Sequence, residues 1–109
     1  MTPGGPYRIT TNRDFDEYLD QFLTLAKSMG AFDRVRRAIE EIVGHLEFSP
    51  VTWGDPVRRL EALGLTVFHR IYDALSVVYA VHDTDGFVWW TGLDPVLNHP
   101  LKTENEDLS

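Results

Sequence analysis

No cysteine occurs anywhere in the 109 residues. Disulfides, thiolate metal sites and cysteine nucleophiles are thereby excluded, and the absence fits a reducing compartment, so a cytoplasmic location is expected. No apolar run approaches the ~20 residues that a spanning helix needs, and no membrane association is expected. Met1 to Pro6 carries no basic patch followed by an apolar stretch, so a signal peptide is not expected there. Internal repeats and low-complexity tracts are missing too. Basic side chains are few: 10 Lys and Arg against 17 Asp and Glu, a net charge of -7. That balance disfavours non-specific nucleic-acid binding, which depends on concentrated cations. No cofactor is expected.

What remains is an ordinary globular composition, 43% apolar and 12% aromatic. A chain of this length can bury roughly two-thirds of its unfolded surface around one core. One domain over residues 7–97 is expected, with residues 1–6 as a loose lead-in and residues 98–109 as an irregular, mobile acidic tail. The arginines concentrate in mid-chain (Arg34, Arg36, Arg37, Arg58, Arg59, Arg70), leaving room for a local basic patch on an acidic body.

Residues 7–10 read as a short edge strand. Thr11 or Asn12 can cap a following helix, and Asp14, Asp16 and Glu17 favour its positive end. Its apolar stripe is Phe15, Tyr18, Leu19, Phe22, Leu25, Ala26 and Met29, spaced three or four apart, and Gly30 is a natural stop. A second helix carries Phe32, Val35, Ile39, Ile42, Val43 and Leu46 on one face and ends at Ser49-Pro50. The two form an antiparallel hairpin that needs a cover. Asp55 and Pro56 suit the cap and first position of a short helical turn, with Val57, Leu60 and Leu63 facing inward and Gly64 ending it. Residues 65–71, 75–82 and 87–93 then read as three strands of an antiparallel meander. The fold class is therefore α+β: an edge strand, a helix hairpin and a three-stranded meander.

The register of the first hairpin decides which side chains face the core. A two-residue loop, Asp73-Ala74, sets Val67, His69 and Ile71 beside Ser76, Val78 and Ala80. A three-residue loop, Tyr72 to Ala74, sets them beside Leu75, Val77, Tyr79 and Val81. The second choice gives the more apolar face and is the expectation. It assigns Phe68, Arg70, Ser76, Val78, Ala80 and His82 to the opposite, mixed face.

This order of elements resembles the RelE/ParE toxin superfamily. Leu46-x-x-Ser49-Pro50, Trp53-Gly54-Asp55-Pro56 and Leu60-x-x-Leu63-Gly64 look like the family's helix exit and connector. Val67-Phe68-His69-Arg70-Ile71 and Leu75-Ser76-Val77-Val78-Tyr79 are similar to its central hairpin, and residues 87–90 to its last core strand. The likeness spans residues 46–93 in pattern and residues 7–45 in layout. In RelE-type members it would imply a ribosome-dependent mRNA endonuclease, in which basic and Tyr or His side chains help a 2′-hydroxyl attack phosphorus. In ParE-type members it would imply a gyrase inhibitor. Either type implies an antitoxin polypeptide as partner, and the first implies the ribosome and mRNA as well.

Arg70 matches a basic position of the nuclease pattern. Tyr72 stands at the next one, and Ser76 stands where an arginine is expected. His99 lies near the end where a further Tyr or His would fall. The candidate catalytic residues are thus Arg70, as phosphorane stabiliser, with Tyr72 and His69, the latter titrating near neutrality. On an apolar face, however, a histidine such as His69 is more often a hydrogen-bonded core residue. Arg58, Arg59 and Trp90 are candidate contacts to RNA or a partner. A nuclease requires Arg70 to line a concave basic surface with Arg58 or Arg59. His82 and Asp83, adjacent on a strand, point to opposite faces and make a poor chelate, so no metal is expected. His45 is expected to face solvent. The second reading is a non-catalytic interaction domain on the same fold: a ParE-like inhibitor, a decayed toxin or an adaptor.

Overall fold

The computed structural model describes residues 6–82, 84–96 and 100–101. The element order is β1 (Arg8–Thr10), α1 (Arg13–Ser28), α2 (Phe32–Phe48), α3 (Pro50–Trp53), β2 (Asp55–Leu60), a 3-10 turn (Glu61–Leu63), β3 (Leu65–Tyr72), β4 (Leu75–His82) and β5 (Phe87–Pro95). The class is α+β. The meander is extended on both sides into a five-stranded mixed sheet of order β1-β5-β4-β3-β2. β1 pairs parallel with β5, and the other neighbours are antiparallel. None of the described helices is long and apolar enough to cross a membrane. Of the expected tail, residues 98–99 and 102–109 lie outside the described residues, as does Asp83, whereas Leu101 is described and is buried in the core.

Local chemistry sets the helix ends. Asn12 Oδ1 accepts from the Phe15 amide at 2.8 Å, the N-cap geometry that satisfies an orphan donor of the first turn. At the other end Gly30 takes φ 71. That turn lets the Ala31 amide reach Ala26 O at 2.8 Å and the Gly30 amide reach Lys27 O at 3.2 Å, a Schellman closure. Phe15, Phe22 and Ala26 of α1 are buried, together with Val35, Ala38, Ile42 and Leu46 of α2. Leu25 and Met29, expected on the α1 stripe, are exposed.

Both long helices cover one face of the sheet. The core joins them to Phe68, Leu75, Val77, Tyr79, Val81, Val88, Trp90 and Leu93. Phe15 packs on Trp90 with ring centroids 5.1 Å apart, and Phe68 stacks on Tyr79 at 5.3 Å.

This arrangement corrects the hairpin register. Tyr72 pairs with Leu75, Arg70 with Val77 and Phe68 with Tyr79, so the loop has two residues. Asp73 and Ala74 take φ 49 and 59, as a type I′ turn requires, and that turn's twist matches the strands it joins. On β4 the inward set was read correctly. On β3 the inward residues are Phe68, Arg70 and Tyr72, while Val67, His69 and Ile71 face away from the helices.

A second correction concerns residues 55–63. The expected helical turn is an edge strand, β2, that pairs with β3 around a bulge between Pro56 and Arg58. Helical turns flank it on either side. Val57 and Leu63 are exposed rather than inward. The backbone hydrogen bonds offered by β3 outweigh the local preference of Asp-Pro for a helix start.

Tyr79 fastens α3 to the sheet. Its hydroxyl donates to Pro50 O at 2.5 Å and accepts from the Gly54 amide at 2.9 Å. A Cβ at residue 54 would stand 2.6 Å from that hydroxyl, so the close approach requires glycine.

Candidate functional site

The expected catalytic set divides between the two faces of β3. Arg70 and Tyr72 lie on the helix-facing side. Arg70 Nη1 donates to Trp53 O at 2.8 Å, and the guanidinium lies 5.5 Å from the Trp53 ring centre. Tyr72 donates to Glu41 Oε1 at 2.6 Å. That bond to a carboxylate, with burial and the charges of Glu41 and Asp73 adding to it, holds the Tyr72 pKa above its ordinary value. A phenol held protonated is a poor general base.

His69 lies on the opposite face, where Nε2 is 2.8 Å from Ser76 Oγ. The sheet backbone separates it from Arg70 and Tyr72. The three do not form one constellation.

Arg58 pairs across from Val67 and shares the open face with His69. Arg59 pairs across from Thr66, donating to its Oγ1 at 2.9 Å, and approaches Glu61 Oε2 at 3.3 Å. Both stand at the Leu65 end of β3, whereas Arg70 stands near its Tyr72 end. The concave basic surface that a nuclease needs is therefore not assembled around Arg70 from these residues. Trp90 is also relocated: it is 2% exposed, it packs on Phe15, and its indole N–H donates to Gly92 O. Its neighbour Trp89, 38% exposed, is the tryptophan that faces out.

Around Arg70 and Tyr72 the structure gathers residues that sequence reasoning did not. His45 is half-buried rather than solvent-facing, stacked on Trp53 at 4.8 Å with rings nearly parallel, and 5.9 Å from the Tyr72 ring. The available signal was its position three residues after Ile42 and one before Leu46, on the flank of the buried stripe. Beside this cluster is a concavity of about 440 Å³ lined by Arg34, Arg37, Ala38, Glu41, Tyr72 and Asp73. Arg34 holds Asp73 through two bonds of 3.0 and 3.1 Å, which raises the Arg34 pKa. Two arginines and two carboxylates line the hollow, so its formal charge balances. Arg36 pairs with Glu40 one turn along the helix.

Among the described residues, no helix lies against the other face of the sheet. Its β3 and β4 rows carry Leu65, Val67, His69 and Ile71 beside His82, Ala80, Val78 and Ser76, of which Leu65 and Ala80 are buried, Ile71 is exposed and the rest are half-buried. β5 adds Phe87, Trp89 and Gly92, and β1 adds Arg8 and Thr10. Ile71 is 49% exposed and Val57, at the β2 bulge, 59%. Aromatic and aliphatic side chains predominate, with His69 among them between Val67 and Ile71, and Arg8, Arg58, Asp55 and His82 lie toward the edges. Apolar centres with polar rims are the anatomy of protein interfaces.

Among the described residues no group of three His, Asp or Glu converges as a metal site. No protein-family model, curated protein or solved structure matches the chain.

Proposed function

We propose that this chain is a non-catalytic protein–protein interaction domain whose binding surface is the open face of the sheet. The observation that carries this reading is the uncovered apolar face centred on Trp89, Val67, Val78 and Ile71. An exposed tryptophan at the centre of such a patch is the residue type most enriched at binding hot spots. The chemistry on the other side agrees with it. Arg70 is engaged by Trp53, Tyr72 is held protonated by Glu41, and His69 is out of reach of both. Within the resemblance to RelE/ParE toxins, this is the inhibitor, decayed-toxin or adaptor branch, and an antitoxin-like polypeptide is one partner class that it implies.

The second reading is a RelE-like toxin acting as a ribosome-dependent mRNA endonuclease. In its favour is the cluster of Arg70, Tyr72, Trp53 and His45, which combines a cation, a phenol, a stacking surface and an imidazole.

Tightly controlled expression in a bacterial host separates the two. Growth and translation are followed for the wild type and for Arg70→Ala at equal levels of folded protein. The non-catalytic reading expects the same outcome for both. Arrest by the wild type that is relieved in Arg70→Ala, with cleaved mRNA, would establish the nuclease.

A further inference from the structure

We infer that the open sheet face is a self-complementary surface and that its occupant is a second copy of this chain. The inference rests on the interaction-domain reading and names its partner.

The β2 edge is disfavoured as a docking site. β2 carries Pro56, a bulge and two adjacent arginines, the devices by which natural edge strands discourage strand addition. The flat face has no such protection.

The strand registers define rows across this face. One row holds Arg58, Val67, Ala80, Trp89 and Thr10; the next holds Asp55, His69, Val78 and Gly92. A two-fold axis in the plane of the interface, perpendicular to the strands and between these rows, exchanges them. Trp89 of one copy then lies over Gly92 of the other, and Val78 lies over the position of Ala80, a small residue that is itself buried. Arg58 lies over Asp55. Each contact occurs twice, large side chain over small and cation over anion, as an isologous interface demands. Two sheets meeting this way cross at about 30° because each is twisted, which keeps the central rows in register.

Charge favours the same pairing. The face carries Arg8, Arg58 and Asp55, whereas the whole chain has a net charge of -7. Asp14, Asp16, Glu17, Asp20, Asp33, Glu40, Glu41 and Glu47 belong to α1 and α2, on the far side, against the bases Arg13, Lys27, Arg34, Arg36 and Arg37, so those helices keep a net negative charge. Pairing by the open faces holds these acidic helices outward and apart. The area is near what a specific interface needs: four strand spacings of about 4.8 Å by about seven residues at about 3.4 Å give roughly 450 Å² per copy, or about 900 Å² in total, against a threshold of roughly 1,000 Å².

Sedimentation velocity of the full chain from micromolar to near-millimolar concentration tests this. The expected result is a reversible shift from the 12.5 kDa monomer to twice that mass. Trp89→Glu should raise the dimer Kd by at least about tenfold. Arg58→Asp should weaken it too, and the swap Asp55→Arg with Arg58→Asp should restore it, a recovery that general destabilisation cannot mimic. Unchanged association in Trp89→Glu, or no recovery in the swap, overturns the proposal. A wild type that stays monomeric while acrylamide quenches Trp89 also overturns it and assigns the face to a different protein. The non-catalytic reading survives that result, since it falls only to the Arg70-dependent arrest described above.

Discussion

Replacing Tyr79 by Phe tests the joint between α3 and the sheet. Tyr79 has no exposed surface, and its hydroxyl is shared by Pro50 O and the Gly54 amide. Phe fills nearly the same space, so the apolar packing on Phe68 and Trp53 survives and the loss is confined to two hydrogen bonds. Each buried group left without a partner costs about 1–3 kcal/mol, so the variant should lose about 2–4 kcal/mol. For a domain of this size that lowers Tm by roughly 10–25 °C. pH adds a second signature. Burial, the largest influence, pushes the Tyr79 pKa from 10.0 up to about 12; Asp55 acts in the same direction, and the Gly54 amide and Arg70 oppose it. Below pH 10 the hydroxyl is protonated in folded and unfolded chains alike, and its contribution is intact. Between pH 10 and about 12 the unfolded chain releases the proton more readily, so stability falls, by about 3 kcal/mol across the window. Urea titrations at neutral pH and at several values between 10 and 12 measure both effects. The wild type should lose stability steeply over that window, and Tyr79→Phe should lose less. A neutral-pH difference below about 1 kcal/mol, or parallel alkaline losses in the two proteins, would refute the assigned role of the hydroxyl.

Two further changes probe local geometry. Ala74 sits at φ 59, a conformation that costs an L residue roughly 1–2 kcal/mol. Ala74→Gly should therefore stabilise the fold by about 0.5–1 kcal/mol after the larger chain entropy of glycine is counted, measured by thermal or urea unfolding. A destabilised variant would mean that the two-residue turn is not the one adopted. Asn12→Ala removes the acceptor of the Phe15 amide and should cost about 1 kcal/mol, while Asn12→Ser should cost little. Equal losses in both would exclude the cap as the cause.

Much of the fold was legible because short-range rules govern it. The two helices, their caps and Gly30 follow from apolar spacing and terminal chemistry. The inward set of β4 was legible as well, since Leu75, Val77, Tyr79 and Val81 are its larger side chains. β3 was not, because both of its phases are apolar enough to be buried: Val67 and Ile71 in one, Phe68 and Tyr72 in the other. His69 and Arg70 are adjacent and so point to opposite faces in either register; the ambiguity decided only which of them turns toward the helices. Trp89 and Trp90 posed the same question. Alternation says that one points out, and only the pairing of Trp90 with Tyr79 says which.

The sequence by itself determined the α+β class, the helix hairpin, the existence of the three meander strands and the exclusion of thiol chemistry. Each of these depends on residue type and spacing within a few turns of chain. The tertiary structure alone decided that residues 55–60 extend as an edge strand, that β1 joins β5, that Phe68 rather than Val67 enters the core, and that among the described residues both long helices pack on the same sheet face. Those outcomes depend on which backbone hydrogen bonds and which aromatic partners distant segments supply, and no local pattern encodes a partner many residues away.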